Sequence, residues 1–234
     1  MRLAARAETV SGFLIYATPI GEYHFSCVFF TAEKGKIHCL LKTQPPEFAR
    51  QFELKIKPCK TGYVASGFRY QQPLLISQPR ESYFTLYINE LIYQLLPIDI
   101  ADLSLFGCYI STLMQLCLPH KTQAVMRFFE MRLLDCLGLG IDYQHDAQGQ
   151  ALIDIEAYSF QPGGGFVADN RGRYLGHQII AAGQLNHEVK GALSVARETL
   201  LNQLLFATEG QTIRTRYWPL PQHRQEPPLI VTEN

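Results

Sequence analysis

The sequence predicts an α+β protein: an N-terminal β-barrel of the OB type, then an α-helical domain carrying a small inserted β module. Three observations lead there. Short runs rich in aromatic and branched residues crowd residues 10–80, as strands do. From residue 82 the apolar residues recur at spacings of three and four, the period of a helix. That period lapses over 141–176, where glycines separate short apolar runs, and resumes near 177–207.

Residues 10–16 and 24–30 are the first two strands, separated by Pro19-Ile20-Gly21-Glu22. Glu33-Lys34-Gly35-Lys36 is a turn into the third strand at 37–41. Phe52-Glu53-Leu54-Lys55-Ile56-Lys57 alternates apolar and charged residues, the mark of a half-exposed strand. Residues 62–70 and 73–77 supply one or two more. Five or so short strands in about 75 residues fit a small barrel of the OB type.

Charge is unevenly spread along this neutral chain. Residues 1–80 hold eleven Lys and Arg against five Asp and Glu, whereas 81–160 hold three against ten. Such asymmetry suggests a part that binds a polyanion. The barrel cations are Lys34, Lys36, Lys42, Arg50, Lys55, Lys57, Lys60 and Arg69, interleaved with Phe48, Phe52, Tyr63, Phe68 and Tyr70. Single-stranded nucleic acid is held by this pairing of backbone-tracking cations and stacking aromatics. The competing reading is that the lysines solvate an outer face while the aromatics fill the core.

The central helix spans 82–96, with Phe84, Ile88, Leu91 and Leu95 on one face and Tyr87, Ile92 and Leu96 widening it. A helix apolar over most of its circumference is buried on several sides. Pro79 precedes it, Ser82 is its candidate N-cap and Pro97 closes it. Asn89 and Glu90 read as residues on a wet edge or partners of neighbouring backbone groups. A second helical stretch covers 99–118 and a third 121–137, the latter stopping at Gly138, which suits a left-handed C-cap. Residues 141–176 read as a small β-hairpin module. Its Pro162-Gly163-Gly164-Gly165 is not a phosphate loop, since no Gly-Lys-Ser/Thr follows. The Pro-rich tail, 217–234, is expected to be extended and mobile.

Several classes of protein are set aside by what is missing. No apolar run approaches the roughly 18–20 residues of a membrane span, and Met1–Ala5 does not open a secretory signal, so a cytoplasmic protein is expected. The six cysteines are never closer than nine residues and read as small buried apolar residues, neither zinc ligands nor disulfides. The seven histidines show no ligand spacing, and no metalloprotease, hydrolase, Walker or dinucleotide motif occurs. No cofactor, metal or catalytic residue is expected.

Three stretches resemble the RecO family of bacterial recombination mediators: Leu86-Tyr87-Ile88-Asn89-Glu90-Leu91; Arg127-Phe128-Phe129-Glu130-x-x-Leu133-Leu134-x-x-Leu137-Gly138; and Gly12-Phe13-Leu14 through Pro19 and Glu22 to Phe30-Thr31 and Gly35. Tyr158-x-Phe160, Gly165-Phe166-Val167 and Ile213-Arg214-Thr215-Arg216 also fit, so the resemblance covers roughly residues 10–216. It implies an OB barrel over 1–80 and a helical domain over 81–216 interrupted by a β module at 141–176. It implies binding of single- and double-stranded DNA, annealing of complementary strands, and partnership with RecR. It further implies contact with the C-terminal tail of single-stranded-DNA-binding protein, so that RecA is loaded onto coated DNA. It implies no enzymatic activity, no membrane, and a cytoplasmic protein that joins the nucleoid during repair.

Two departures from the family stand out. Many members carry a four-cysteine zinc site in the β module, whereas no cysteine follows Cys136 here. Members also tend to carry a basic K-G-A-R segment after the third strand, where this chain has Lys42-Thr43-Gln44-Pro45-Pro46-Glu47 with its single cation. The partner tail implied by the resemblance is acidic and ends in a phenylalanine carboxylate. Such a peptide needs an apolar pocket and a cation, preferably arginine. Arg127 or Arg132 is the expected anchor, with Phe128, Phe129 or Leu133 lining the pocket. Two other classes compete with the mediator: a protein–protein adaptor whose barrel barely touches DNA, and an enzyme with a dispersed site such as a nuclease.

Overall fold

In the computed structural model, which describes residues 7–72, 79–118 and 122–217, five strands close into a barrel. They are β1 (Glu8–Ile20), β2 (His24–Thr31), β3 (Gly35–Leu41), β4 (Phe52–Cys59) and β5 (Gly62–Tyr70). Around the barrel the order is β1-β2-β3-β5-β4, with β3 and β5 parallel and the other pairs antiparallel. This five-stranded crossed arrangement is that of OB folds. β1 runs on through Pro19 and Ile20, which the sequence assigned to a separator; the turn begins at Gly21, whose φ of +68° suits a residue without Cβ.

Alternation along each strand sends one set of side chains into the barrel. Val10, Leu14, Cys27, Phe29, Ile37, Cys39, Leu41, Phe52, Leu54, Ile56 and Ala65 form that interior. The alternate residues of β1 and β2, among them Phe13, Val28 and Phe30, are equally apolar because they face the helices and join a second core. Strands buried on both faces read as near-continuous apolar runs.

α1 (Pro79–Leu95) is the central helix. Pro79 is its first residue and not a residue before it, and Ser82 lies inside it, so the expected N-cap is corrected. Proline is tolerated in a first turn because its missing N–H has no intrahelical partner there. α2 (Leu103–Leu116) starts at Asp102, whose Oδ1 accepts from the Leu105 N–H at 2.8 Å. α3 (Thr122–Cys136) stops at Gly138 with φ +70°. There the Leu139 N–H donates to the Leu134 carbonyl at 2.9 Å and the Gly138 N–H to that of Asp135 at 3.0 Å, a Schellman closure. Tyr109 of α2 is wholly buried between barrel and helices, 5.1 Å from the Phe13 ring, 5.6 Å from Phe30 and 6.4 Å from Phe129.

The two polar residues of the central helix are staples. Asn89 is buried and accepts from the Tyr109 hydroxyl at 2.7 Å. Glu90 accepts from the N–H groups of Arg214 (2.7 Å) and Thr215 (2.9 Å) and from the Thr215 hydroxyl (2.6 Å). It thus ties the closing 3₁₀ turn, Arg214–Tyr217, to α1.

The β module is a three-stranded sheet, one strand more than the expected hairpin: β6 (Ala157–Gln161), β7 (Gly165–Ala168) and β8 (Tyr174–Leu175), in the order β7-β6-β8. Pro162 and Gly163 (φ +74°) take the middle positions of a tight turn closed by Gly164 N–H on the Gln161 carbonyl at 2.9 Å. A Cβ on Gly163 would meet the Phe206 ring at 2.6 Å, so this glycine serves docking of the turn onto α5. The helical stretch 177–207 is two helices, α4 (Gly176–Gly183) and α5 (Ala192–Ala207). α4 closes at Leu185, left-handed with φ +52°, where the Asn186 N–H donates to the Ala181 carbonyl at 2.9 Å and the Leu185 N–H to that of Ala182 at 3.0 Å, and Gly191 with φ +90° precedes α5.

Three of the six free cysteines, Cys59, Cys117 and Cys136, are exposed, correcting the expectation that all were buried. The strand expected within 73–77, the first residue of the expected third helix, and the tail from residue 218 lie outside the described residues. Among the described residues no helix is long and apolar enough to cross a membrane.

Candidate nucleic-acid interface

Strand register sorts the eight barrel cations. On the outer wall, Thr18 pairs with Ser26, Ser26 with Leu40, Leu40 with Val64, and Val64 with Lys57. That is one row across all five strands, about 19 Å at roughly 4.8 Å per strand. Lys55 lies two residues from Lys57 on the same face, Lys42 follows β3 on the other side of β5, and Lys60 sits in the β4–β5 connection. All four lysines are exposed, and among the described residues none has an ion-pair partner within salt-bridge distance.

The other four cations are engaged. Lys34 binds Glu8 at 2.9 Å, a hydrogen bond that raises its pKa, and its ammonium lies 5.6 Å from the Tyr63 ring. Arg50 stacks 3.6 Å over Tyr70 and pairs with Glu47 at 3.0 Å. Arg69 pairs with Glu53 at 2.6 Å, holding that carboxyl below its usual range. The pair borders a groove of about 460 Å³ lined also by Thr9, Lys55, Ser66, Gly67 and Phe68.

Lys36 departs furthest from expectation. It is buried to 6% exposure, burial lowers its pKa, and its Nζ donates to the Tyr93 carbonyl at 2.7 Å. Tyr93 lies in the last turn of α1, where carbonyls lack helical partners and favour a cation. Lys36 therefore caps a helix and is withdrawn from the interface. Its neighbours bind the same junction: the Asp99 N–H donates to the Lys36 carbonyl at 2.9 Å, and the Tyr63 hydroxyl to Asp99 at 2.9 Å.

Of the aromatics chosen from the sequence, one is core and three are half-buried against it. Phe52 is fully buried, 5.5 Å from Phe29 and 5.9 Å from Phe68, which in turn lies 5.4 Å from Tyr70. Phe48, at 40%, is the exposed one of the five. Sequence reasoning missed Tyr16 and Tyr93, residues 46% and 41% exposed whose rings lie 5.1 Å apart at the junction of barrel and α1. Tyr16 is readable as the outward residue after Leu14-Ile15, but its partner is 77 positions away. Tyr23, 73% exposed, tops the β1–β2 turn.

The expected peptide pocket on α3 does not assemble as drawn. Phe129 and Leu133 are fully buried in the core. Arg127 is largely buried and bound at 2.8 Å to Glu130, itself at 0% exposure and accepting from the Tyr87 hydroxyl at 2.7 Å. Arg127 is thus a core ion pair. Arg132 is more open: its guanidinium reaches Asp135 at 3.5 Å and the Ser104 hydroxyl at 3.2 Å. Phe128, 47% exposed, lies one turn away on the same face, and Leu103, 71% exposed, borders Ser104.

The β module does not fit the zinc site of many family members. Residues 141–234 contain no cysteine, and among the described residues no three His, Cys, Asp or Glu side chains are placed to hold a metal ion. Its turns are closed by carboxylates. Asp142 Oδ1 accepts from the Gln144 and His145 N–H groups at 2.7 and 3.1 Å, Asp146 Oδ1 from Gln148 and Gln150 at 2.9 and 2.8 Å. Phe166 fills its centre, 5.1 Å from Phe160, 5.9 Å from Tyr143 and 6.4 Å from Tyr174.

Comparison with known proteins bears on the same elements. The model of the family described as Recombination protein O C terminal matches residues 76–203, more than half of the chain. A protein of Stutzerimonas stutzeri named DNA repair protein RecO is 31% identical over 134 residues, 56% of this chain and 57% of its own length. Its namesake in Psychromonas ingrahamii is 29% identical over 224 residues, 89% of this chain and 96% of that protein. Another, from Legionella pneumophila, is 24% identical over 221 residues, 90% and 96% of the two chains. A barrel of OB order, a helical domain with an inserted β module, and this match over α1 to α5 agree: the chain belongs to the RecO family.

Proposed function

We propose that this protein is a DNA repair and recombination mediator that works by binding and not by catalysis. The barrel, residues 1–80, binds single- and double-stranded DNA and anneals complementary strands. The helical domain, residues 81–216, meets protein partners: RecR, and the C-terminal tail of single-stranded-DNA-binding protein, so that RecA is loaded onto coated DNA. The work is cytoplasmic, at the nucleoid during repair. The observation that carries the reading is a set of exposed lysines, Lys55 and Lys57 on β4, Lys60 in the β4–β5 connection and Lys42 at the end of β3, none of which has an ion pair among the described residues. Family membership and the names of the relatives support it.

The test is oligonucleotide binding across a salt series. Parent protein is expected to lose affinity steeply with salt, because bound phosphates release counterions. A variant with all four lysines changed to Glu is expected to bind weakly with a flattened slope. Salt-independent or absent binding by the parent rejects the DNA-binding barrel and favours the adaptor. For the partner tail, Arg132 is the proposed anchor, beside Phe128 and Leu103, with Arg127 supporting the helix from inside.

A further inference from the structure

We infer that the Tyr16–Tyr93 ring pair is a base-stacking platform that makes the barrel wall prefer single-stranded over duplex DNA, an inference that rests on the DNA-binding reading above. Both residues are exposed, and their rings are 5.1 Å apart and inclined at 44°. Tyr16 pairs with Val28, and two residues on Thr18 begins the outer row that ends at Lys57. The platform and the lysines therefore lie toward opposite ends of one register row that curves around the closed barrel, with the part-exposed Ser26, Leu40 and Val64 between.

This is the division of labour a single strand requires: cations track phosphates while aromatic faces receive bases. Duplex phosphates can meet the same lysines, but paired bases are stacked on one another and offer no free face to a tyrosine. The platform is also held in place. Buried Lys36 donates to the Tyr93 carbonyl at 2.7 Å, its ammonium 5.9 Å from the Tyr93 ring. Tyr16 is anchored in the β1–β2 ladder beside a bulge between Leu14 and Tyr16 that re-aims the strand. Lys36 is thereby a positioning residue, and a strand laid along the wall reaches aromatic rings contributed by barrel and helical domain together.

The experiment compares full-length parent, Tyr16→Ala/Tyr93→Ala and Tyr16→Phe/Tyr93→Phe by fluorescence anisotropy, using labelled oligo-dT and a mixed-sequence duplex of equal length. The alanine pair is expected to lose roughly ten- to a hundredfold in affinity for oligo-dT, the scale of stacking one base or more, and less than about twofold for the duplex. The phenylalanine pair, which keeps the ring faces, is expected to bind like the parent. Photocrosslinking of parent protein to 5-iodouracil oligonucleotides, mapped by mass spectrometry, gives a readout independent of the variants' folding. Crosslinks at Tyr16 or Tyr93 support the platform. Unchanged oligo-dT affinity, equal loss on both DNAs, or crosslinks confined to other residues overturn it. Failure of the parent to bind either DNA would instead reject the DNA-binding reading itself, so the two failures are distinguishable.

Discussion

The two walls of the barrel are built from the same strands and do opposite things. Toward the helices, β1 and β2 present Phe13, Ile15, Val28 and Phe30, all under 5% exposed and packed with Tyr109 and Phe106. Toward solvent, the far ends of the same strands join β3, β5 and β4 in a wall of Thr18, Ser26, Leu40, Val64 and Lys57. Lysine follows the same division: Lys36 is buried as a helix cap, while Lys57 is exposed and has no salt-bridge partner among the described residues. The arginines of α3 repeat the contrast, Arg127 inward on Glu130 and Arg132 outward on Asp135 and Ser104. What a cation does here depends on which side of its element it occupies.

The comparison breaks most visibly on the inward side. Phe30→Ala is expected to destabilise the protein by about 3–5 kcal/mol, since a fully buried ring leaves a cavity between two domains; denaturant unfolding measures it, and a loss below about 1 kcal/mol would mean the walls are not so different. Arg127→Ala should cost a similar amount, about 3–5 kcal/mol, because it takes the 2.8 Å guanidinium away from the fully buried Glu130 carboxylate. A thermal melt that matches the parent's would refute the core role of that pair.

Its outward counterpart sharpens the contrast. Arg132→Ala is expected to leave the melting temperature unchanged yet weaken binding of an acidic tail peptide ending in phenylalanine by about 1.5–3 kcal/mol, the scale of a charged hydrogen bond. Calorimetric titration decides it, and equal affinity in parent and variant places the peptide elsewhere. Lys36→Met should cost about 1–2 kcal/mol by leaving the Tyr93 carbonyl without its donor. Its salt slope for DNA should stay that of the parent, and a flatter slope would return Lys36 to the interface. The smallest effect is expected from Lys57→Ala: stability within about 0.5 kcal/mol and a salt slope shallower by about one. A shift in stability beyond that range would mean Lys57 is structural.

Much of this was legible in the sequence because local periodicity reports burial directly. Alternation over Phe52–Cys59 marked β4, the threes and fours after residue 82 marked α1, and Gly138 marked the end of α3. Which polar residue is a staple was not legible. Glu90 meets Arg214 and Thr215 across 124 and 125 positions, and Lys36 meets Tyr93 across 57. No pattern of neighbours encodes a contact at that separation.

By itself, then, the sequence determined the five barrel strands and the three helices that follow them, the basic character of the barrel and the want of cysteine ligands in the β module, all properties of composition and short-range spacing. Tertiary structure decided which face of each element turned inward. Phe52 and Phe129 became core, Lys36 and Arg127 became internal partners, and Tyr16 met Tyr93 on the surface. The physical reason is that burial is a property of closure: a strand or helix specifies two faces, and only the elements that pack on it choose which one meets water.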